Sequence, residues 1–148
     1  MTYKVPYTGK PRTREEWRDL AVKSHLCTAC LAAHPEIWKV CPSCQAPEAN
    51  REYMPSNAEL RRACGLIHMQ RAGKISRLTF HPRYDLKVNG IKVCTYEADA
   101  EYLKDGKTVV EDTKAQGTDF MEDTAKLKIS LFNAVYAKLG VKVTIYRG

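Results

Sequence analysis

Two Cys-x-x-Cys pairs, Cys27-Thr-Ala-Cys30 and Cys41-Pro-Ser-Cys44, stand ten residues apart and constrain this chain more than any other feature. Cysteines two residues apart can bring two thiolates to one ion, and a second such pair completes a tetrahedral Zn²⁺ site. The loop between the knuckles is slightly short for such a site but long enough to close. A redox pair or buried free thiols are the competing readings, and two pairs this close together argue against both. With four protein ligands no coordination position is left for water, so the expected Zn²⁺ is structural and supplies folding free energy to a segment with little apolar core. His25 and His34 flank the knuckles as alternative ligands. Cys64 and Cys94 lie outside the pattern among apolar neighbours and read as small core residues.

The cysteines matter differently by compartment. The N-terminus, Met-Thr-Tyr-Lys-Val-Pro, has no apolar stretch of the signal-peptide kind, and no apolar run approaches the roughly 20 residues of a membrane span. A cytoplasmic protein without membrane contact is expected, where metal binding is the usual use of paired cysteines. The net charge of +7 over 148 residues points to an anionic partner, with nucleic acid first in line. Residues 1–74 carry +5 of that charge and residues 75–148 the remaining +2.

Local signals divide the chain into a basic arm (1–12), an N-terminal helix with the zinc module and a linker (13–55), and a main domain (56–148). Thr13-Arg-Glu-Glu16 is a capping box that predicts a helix from about Arg14 to His25, with Trp17, Leu20, Ala21 and Ser24 on one side. Residues 45–55, with Pro47 and Pro55, read as linker. Ser56-Asn-Ala-Glu59 is a second capping box, opening a helix that ends before Gly73. Residues 75–88 alternate as a strand with an edge or bend at Pro82. Asn89-Gly90 marks a hairpin, followed by a strand from Ile91 to Lys104, the turn Asp105-Gly106, and a strand from Lys107 to Lys114. Asp119-Phe-Met-Glu122 caps a long helix whose Leu127, Leu131, Val135 and Leu139 recur every four residues, up to Gly140. Val141–Tyr146 is a last strand. No internal repeat is evident.

The Asp105-Gly106 turn sets a register in which paired residue numbers sum to 211. Asp99 then lies opposite Asp112, and Glu97 opposite Lys114. Asp112 and Lys114 share a face, about 6.6 Å apart along the strand. Directly opposed carboxylates destabilise a strand pair, and a divalent cation between them removes the penalty. The alternative is a solvated, charged strand face. Against it stand the flanking helices and the apolar pair Val109-Val110 just before Glu111.

The run Tyr96-Glu97-Ala98-Asp99 through Val109-Val110-Glu111-Asp112-Thr113-Lys114 resembles the D…(D/E)-x-K signature of the PD-(D/E)XK nuclease superfamily, and especially a phage and prophage group of small proteins. The group's helix with an acidic residue and its Gly-(Glu/Lys)-Ile step have counterparts in Gly73-Lys74-Ile75 and the helix before it. Its later helix with Phe and Lys matches Phe120, Lys126 and Lys128. The likeness covers about residues 56–146. It departs at the "PD" position, here Ala98-Asp99, and says nothing of the zinc module.

The resemblance implies an α/β fold with a restriction-endonuclease-like α-β-β-β-α-β core and a mixed sheet. Asp99 and Asp112 would hold Mg²⁺ or Mn²⁺, with Lys114 orienting the attacking water. Glu59 would be the further acidic residue from the first helix, a role that competes evenly with its place in the capping box. Gln116, Lys126 and Lys128 would meet the nucleic acid, against the plainer readings of a loop residue and exposed helix lysines. Glu97 could pair with Lys114, and Glu101 reads as solvated. The implied activity is a metal-dependent DNA endonuclease, similar to phage Holliday-junction-resolving enzymes, acting on branched DNA as a homodimer. The rival is a non-catalytic zinc-ribbon protein that binds nucleic acid.

Overall fold

A computed structural model describes residues 24–114 and 121–148. Among them no helix is long and apolar enough to cross a membrane. The chain divides into two units, residues 1–64 and 65–148, with the division inside a helix.

The first unit contains a three-stranded antiparallel sheet, β1 (Ser24–Cys27), β2 (Ala33–His34) and β3 (Arg51–Met54), ordered β2-β1-β3. Two expectations fail here. Ser24 and His25 are strand residues rather than the end of a helix, because β1 pairs on both sides: His25 opposes His34 on β2 and Tyr53 on β3. The remainder of that expected helix, and the basic arm, lie outside the described residues. The segment assigned to a linker holds a 3-10 turn (Glu48–Asn50) and β3, which is fully paired with β1. Cys27, Trp38, Cys41 and Ala46 form a buried cluster beside the sheet, whose own Leu26 and Met54 are buried as well. Arg51 closes one side, donating to the Trp38 carbonyl, pairing with Glu48 at 2.9 Å and lying 5.9 Å from the Trp38 ring centre.

Helix α1 (Asn57–Arg71) begins at Ser56, whose Oγ accepts the Glu59 N–H at 3.2 Å while its hydroxyl faces Glu59 Oε1 at 3.4 Å. The Ser56 half of the capping box is formed, and the Glu59 carboxylate meets the Ser56 hydroxyl. Gly73 takes the left-handed conformation (φ 75°) just past the helix end.

The second unit is built on a four-stranded mixed sheet of β4 (Ser76–Phe80), β7 (Ala100–Lys104), β8 (Lys107–Lys114) and β9 (Val143–Arg147), in the order β4-β7-β8-β9. β8 is antiparallel to β7 and parallel to β9, the crossover running through α2 (Asp123–Val135). β5 (Arg83–Val88) and β6 (Ile91–Glu97) form a separate two-stranded ribbon closed at Asn89-Gly90. The strand expected to run unbroken from Ile91 to Lys104 is therefore two strands in two sheets, parted at Ala98-Asp99. The bend at Pro82 has the same result on the incoming side, where β4 and β5 part.

β8 is the central strand, buried from Val110 through Thr113. Its alternating residues face two apolar clusters. Val110 joins Leu86, Tyr96, Ala98 and Phe132, against which Ile129, Tyr136 and Val143 pack. Val109 lies on the other side, with Leu66, Ile75, Ala100 and Tyr102. Helical side chains thus enter both clusters, from α1 through Leu66 and from α2 through Phe132.

Of the apolar row expected on α2, only Leu131 packs against the core cluster. Leu127 and Leu139 are 70% and 73% exposed and Val135 is exposed too, whereas Phe132 is 1% exposed. At about 100° per residue a four-residue step drifts by about 40°, and Leu127 stands about 140° from Phe132. The cap differs as well. The helix begins at Asp123 and its N-cap, Glu122, makes no side-chain cap hydrogen bond, while Asp119 lies outside the described residues. The helix ends at Val135, and a 3-10 turn (Ala137–Leu139) carries the chain to Gly140, which is left-handed.

Candidate metal centres

The two knuckles are one local structure used twice. Cys27 accepts from Leu31 N–H and donates its own N–H to Ala32 O; Cys41 accepts from Gln45 N–H and donates to Ala46 O, all at 2.8–2.9 Å. Leu31 and Gln45, each following the second cysteine of its pair, take positive φ of 63° and 66°. The pattern Cys-x-x-Cys-x-Ala is thus a short internal repeat that sequence inspection passed over. It is visible in Cys27–Ala32 and Cys41–Ala46 once the left-handed fifth position is known.

These turns aim four sulfurs at one point. All four Sγ atoms lie within 4.8 Å of one another, with Cys27–Cys44 at 3.7 Å and Cys30–Cys41 at 3.8 Å. Metal–sulfur bonds of about 2.3 Å in a tetrahedron give sulfur–sulfur edges of about 3.8 Å, so the residues fit a Zn²⁺ ion. Burial works to raise the Cys41 thiol, but the N–H groups of Cys44 and Ser43 and the neighbouring thiols outweigh it and bring it down to about 6. Burial pushes the Cys30 thiol up to about 12. His34, weighed as an alternative ligand, sits beside the group, its Nε2 3.2 Å from Ser43 Oγ and 4.0 Å from Cys41 Sγ. His25 stacks at a tilt on Tyr53 instead.

In the second unit the register expected from the Asp105-Gly106 turn holds from Lys104↔Lys107 to Ala100↔Glu111. Asp99 follows at the bend. Its N–H donates to Glu111 O at 3.0 Å, and its Oδ2 accepts the Thr113 N–H at 2.6 Å. The side chain is thereby held against the β8 backbone at Thr113. Asp112 is only 7% exposed, on the Val110 face, and its Oδ2 accepts from Tyr96 OH at 2.9 Å. Glu111 faces the opposite way, 2% exposed, and accepts from Tyr102 OH at 2.8 Å. Lys114 is half-buried at the end of β8, opposite Arg147 of β9.

Two further pairings were expected differently. Glu97 does not oppose Lys114, since β6 has left for the ribbon; it faces Arg83 across that ribbon, 3.9 Å away. Glu101 is half-buried rather than solvated and accepts from the Tyr84 hydroxyl. Phenols therefore cap three carboxylates, Glu101, Asp112 and Glu111, an arrangement the sequence reading missed; only Tyr102 and Glu111 stand on neighbouring strands, while Tyr84 and Tyr96 reach their acids from the β5–β6 ribbon. Burial first, and the partner carboxylates second, push the phenols of Tyr84 and Tyr96 far above their usual range, so both remain donors at neutral pH.

His81 is the other residue not foreseen. A ring nitrogen of His81 and a carboxylate oxygen of Asp99 lie within 4.8 Å of each other. The signal available in the sequence was Pro82, which breaks the strand and leaves His81 at the bend. Glu59 sits in the first turn of α1, in the cap described above. Lys126 and Lys128 lie about 160° apart around α2, Lys126 exposed and Lys128 half-buried, so they do not present one face to a phosphate strand. Gln116 and Phe120 lie outside the described residues. Comparison of the chain with family models, with curated proteins and with solved structures finds no match.

Proposed function

We propose that the second unit is a divalent-metal-dependent nuclease that hydrolyses phosphodiester bonds in DNA, with Asp99 and Asp112 holding Mg²⁺ or Mn²⁺ and Lys114 acting on water and phosphate. The carrying observation is Asp112. It is a buried carboxylate whose only partner among the described residues is a neutral phenol, and an unpaired buried charge is costly unless a cation completes it. Asp99, at the bend before β7 and bonded to the Thr113 N–H of β8, supplies the second carboxylate, and two carboxylates with room for water suit a hard divalent ion. Such an ion supplies Lewis acidity and a nucleophilic water. Lys114 follows on the Asp112 face, about 6.6 Å away along the strand. The order α1, β4, β7, β8, α2, β9, with the ribbon as an insertion, supports the restriction-endonuclease-like reading. Zn²⁺ in the first unit is proposed as a structural ion.

More particularly, we propose an endonuclease of the Holliday-junction-resolving kind, acting on branched DNA as a homodimer. The positive charge supports a DNA partner, and symmetric cutting of a junction takes two equivalent sites, of which one chain supplies one.

Asp112→Asn is the test. Asn keeps an acceptor for Tyr96 and removes the charge, so Mg²⁺- or Mn²⁺-dependent cleavage of plasmid and four-way-junction DNA should fall at least about 100-fold. Melting in EDTA should be unchanged or higher by up to about 1 kcal/mol, because a buried charge has been neutralised. A variant that cuts like wild type ends the assignment and leaves the zinc-ribbon binding protein as the better account.

A further inference from the structure

The point where the two strands change sheets brings His81, which the proposed hydrolysis leaves unused, to Asp99, which it uses. β4 ends at Phe80 and β5 begins at Arg83; β6 ends at Glu97 and β7 begins at Ala100. Two backbone hydrogen bonds tie these breaks to each other, His81 N–H to Asp99 O and Ala98 N–H to Pro82 O, both 3.1 Å. His81 holds φ at 50°, a left-handed conformation that a histidine adopts at a cost of about 1 kcal/mol or more. The half-buried imidazole is thus fixed by the main chain next to the half-buried Asp99 carboxylate, the two donor atoms within 4.8 Å.

We infer that His81 is a ligand of the divalent cation that Asp99 holds, and that its nitrogen makes the site prefer first-row transition ions such as Mn²⁺ to Mg²⁺. The inference rests on the metal-binding role of Asp99 proposed above. Two ligand atoms each about 2.1 Å from one ion lie at most about 4.2 Å apart, so a small side-chain rotation lets the pair share a cation. Mg²⁺ takes oxygen ligands and keeps its waters, whereas imidazole suits transition ions. A carboxylate-only pair gives no such bias. The nitrogen changes which metal is bound without changing the class of reaction.

The test is pulsed electron paramagnetic resonance of Mn²⁺ added to the zinc-loaded full chain, with calorimetric titration of Mn²⁺ and Mg²⁺ separately. Nitrogen modulation on the bound Mn²⁺ is expected, together with Mn²⁺ affinity at least about 10-fold above that for Mg²⁺. In His81→Gln the modulation should vanish and the gap narrow by about 10–100-fold. Bound Mn²⁺ without nitrogen modulation in the wild-type chain overturns the inference with no variant needed, and leaves the nuclease reading standing. A wild-type chain that binds no Mn²⁺ at millimolar concentration overturns both.

Discussion

The two units solve the same problem, how a short stretch of chain holds a shape, with different means. In the first, one cluster of the described residues is Cys27, Trp38, Cys41 and Ala46, and two of these are cysteines of the four-sulfur group. In the second, two apolar clusters lie on the two sides of β8 and need no ion. The lesson lies in where polar chemistry is placed. The first unit puts two of the four cysteines that could hold a metal, Cys27 and Cys41, inside its buried cluster. The second buries Asp112 and Glu111 against phenols just past the apolar pair Val109-Val110, and its clusters are built without either acid.

Withdrawing the metal is the harshest way to break this comparison. Strong chelation, or Cys41→Ser, should remove on the order of 10 kcal/mol of binding free energy from the first unit. Hydrogen exchange should lose protection at Leu26 and Trp38 while protection at Val110 and Tyr102 persists. Loss of both sets together would mean that the units do not stand on separate supports. Lower pH should act in the same direction, because protons compete with the ion for thiolates.

Next in size is Phe132→Ala, expected to cost the second unit about 3–5 kcal/mol, against less than about 0.5 kcal/mol for Leu127→Ser on the same helix. Denaturant midpoints read both. Equal losses would restore the every-four-residue row as the core face.

That contrast also marks how far the sequence could be read. Both Gly-containing hairpins, the β7–β8 register and the four-cysteine group were legible because turn chemistry and knuckle spacing act over a few residues. The split of the Ile91–Lys104 stretch was not, since nothing at Ala98-Asp99 announces that β6 finds its partner in β5 and β7 finds its partners in β4 and β8. β3 reads as linker in the sequence for the same reason: Arg51-Glu-Tyr-Met54 becomes a strand only through β1, 24 residues or more away in sequence. Of the candidate site, the register reaches Ala100 opposite Glu111, and the strand break at Ala98-Asp99 ends it before the expected Asp99–Asp112 pair. The phenol partners of the acids and His81 depend on contacts between strands that periodicity does not report.

The smallest expected effect probes the knuckles. Gln45→Gly removes a side chain from a left-handed position and should stabilise the first unit by about 0.5–1 kcal/mol after glycine's own entropy cost. Leu31→Gly gains the same relief but gives up a half-buried side chain and should show less. Unequal φ relief in the opposite order would show that the two turns are not equivalent.

The paired breaks at His81–Pro82 and Ala98–Asp99 also decide where this chain tolerates changes of length. The ribbon between them is tied at its base by two backbone hydrogen bonds, and its tip is the exposed turn Asn89-Gly90. Residues added at the tip lengthen the ribbon and leave the base as it was. One residue added between Phe80 and Arg83, or between Glu97 and Ala100, shifts a strand by one position and sends its inward side chains outward. Variation in this region is therefore free in length at one end and nearly forbidden at the other, and the forbidden end is where Asp99 stands.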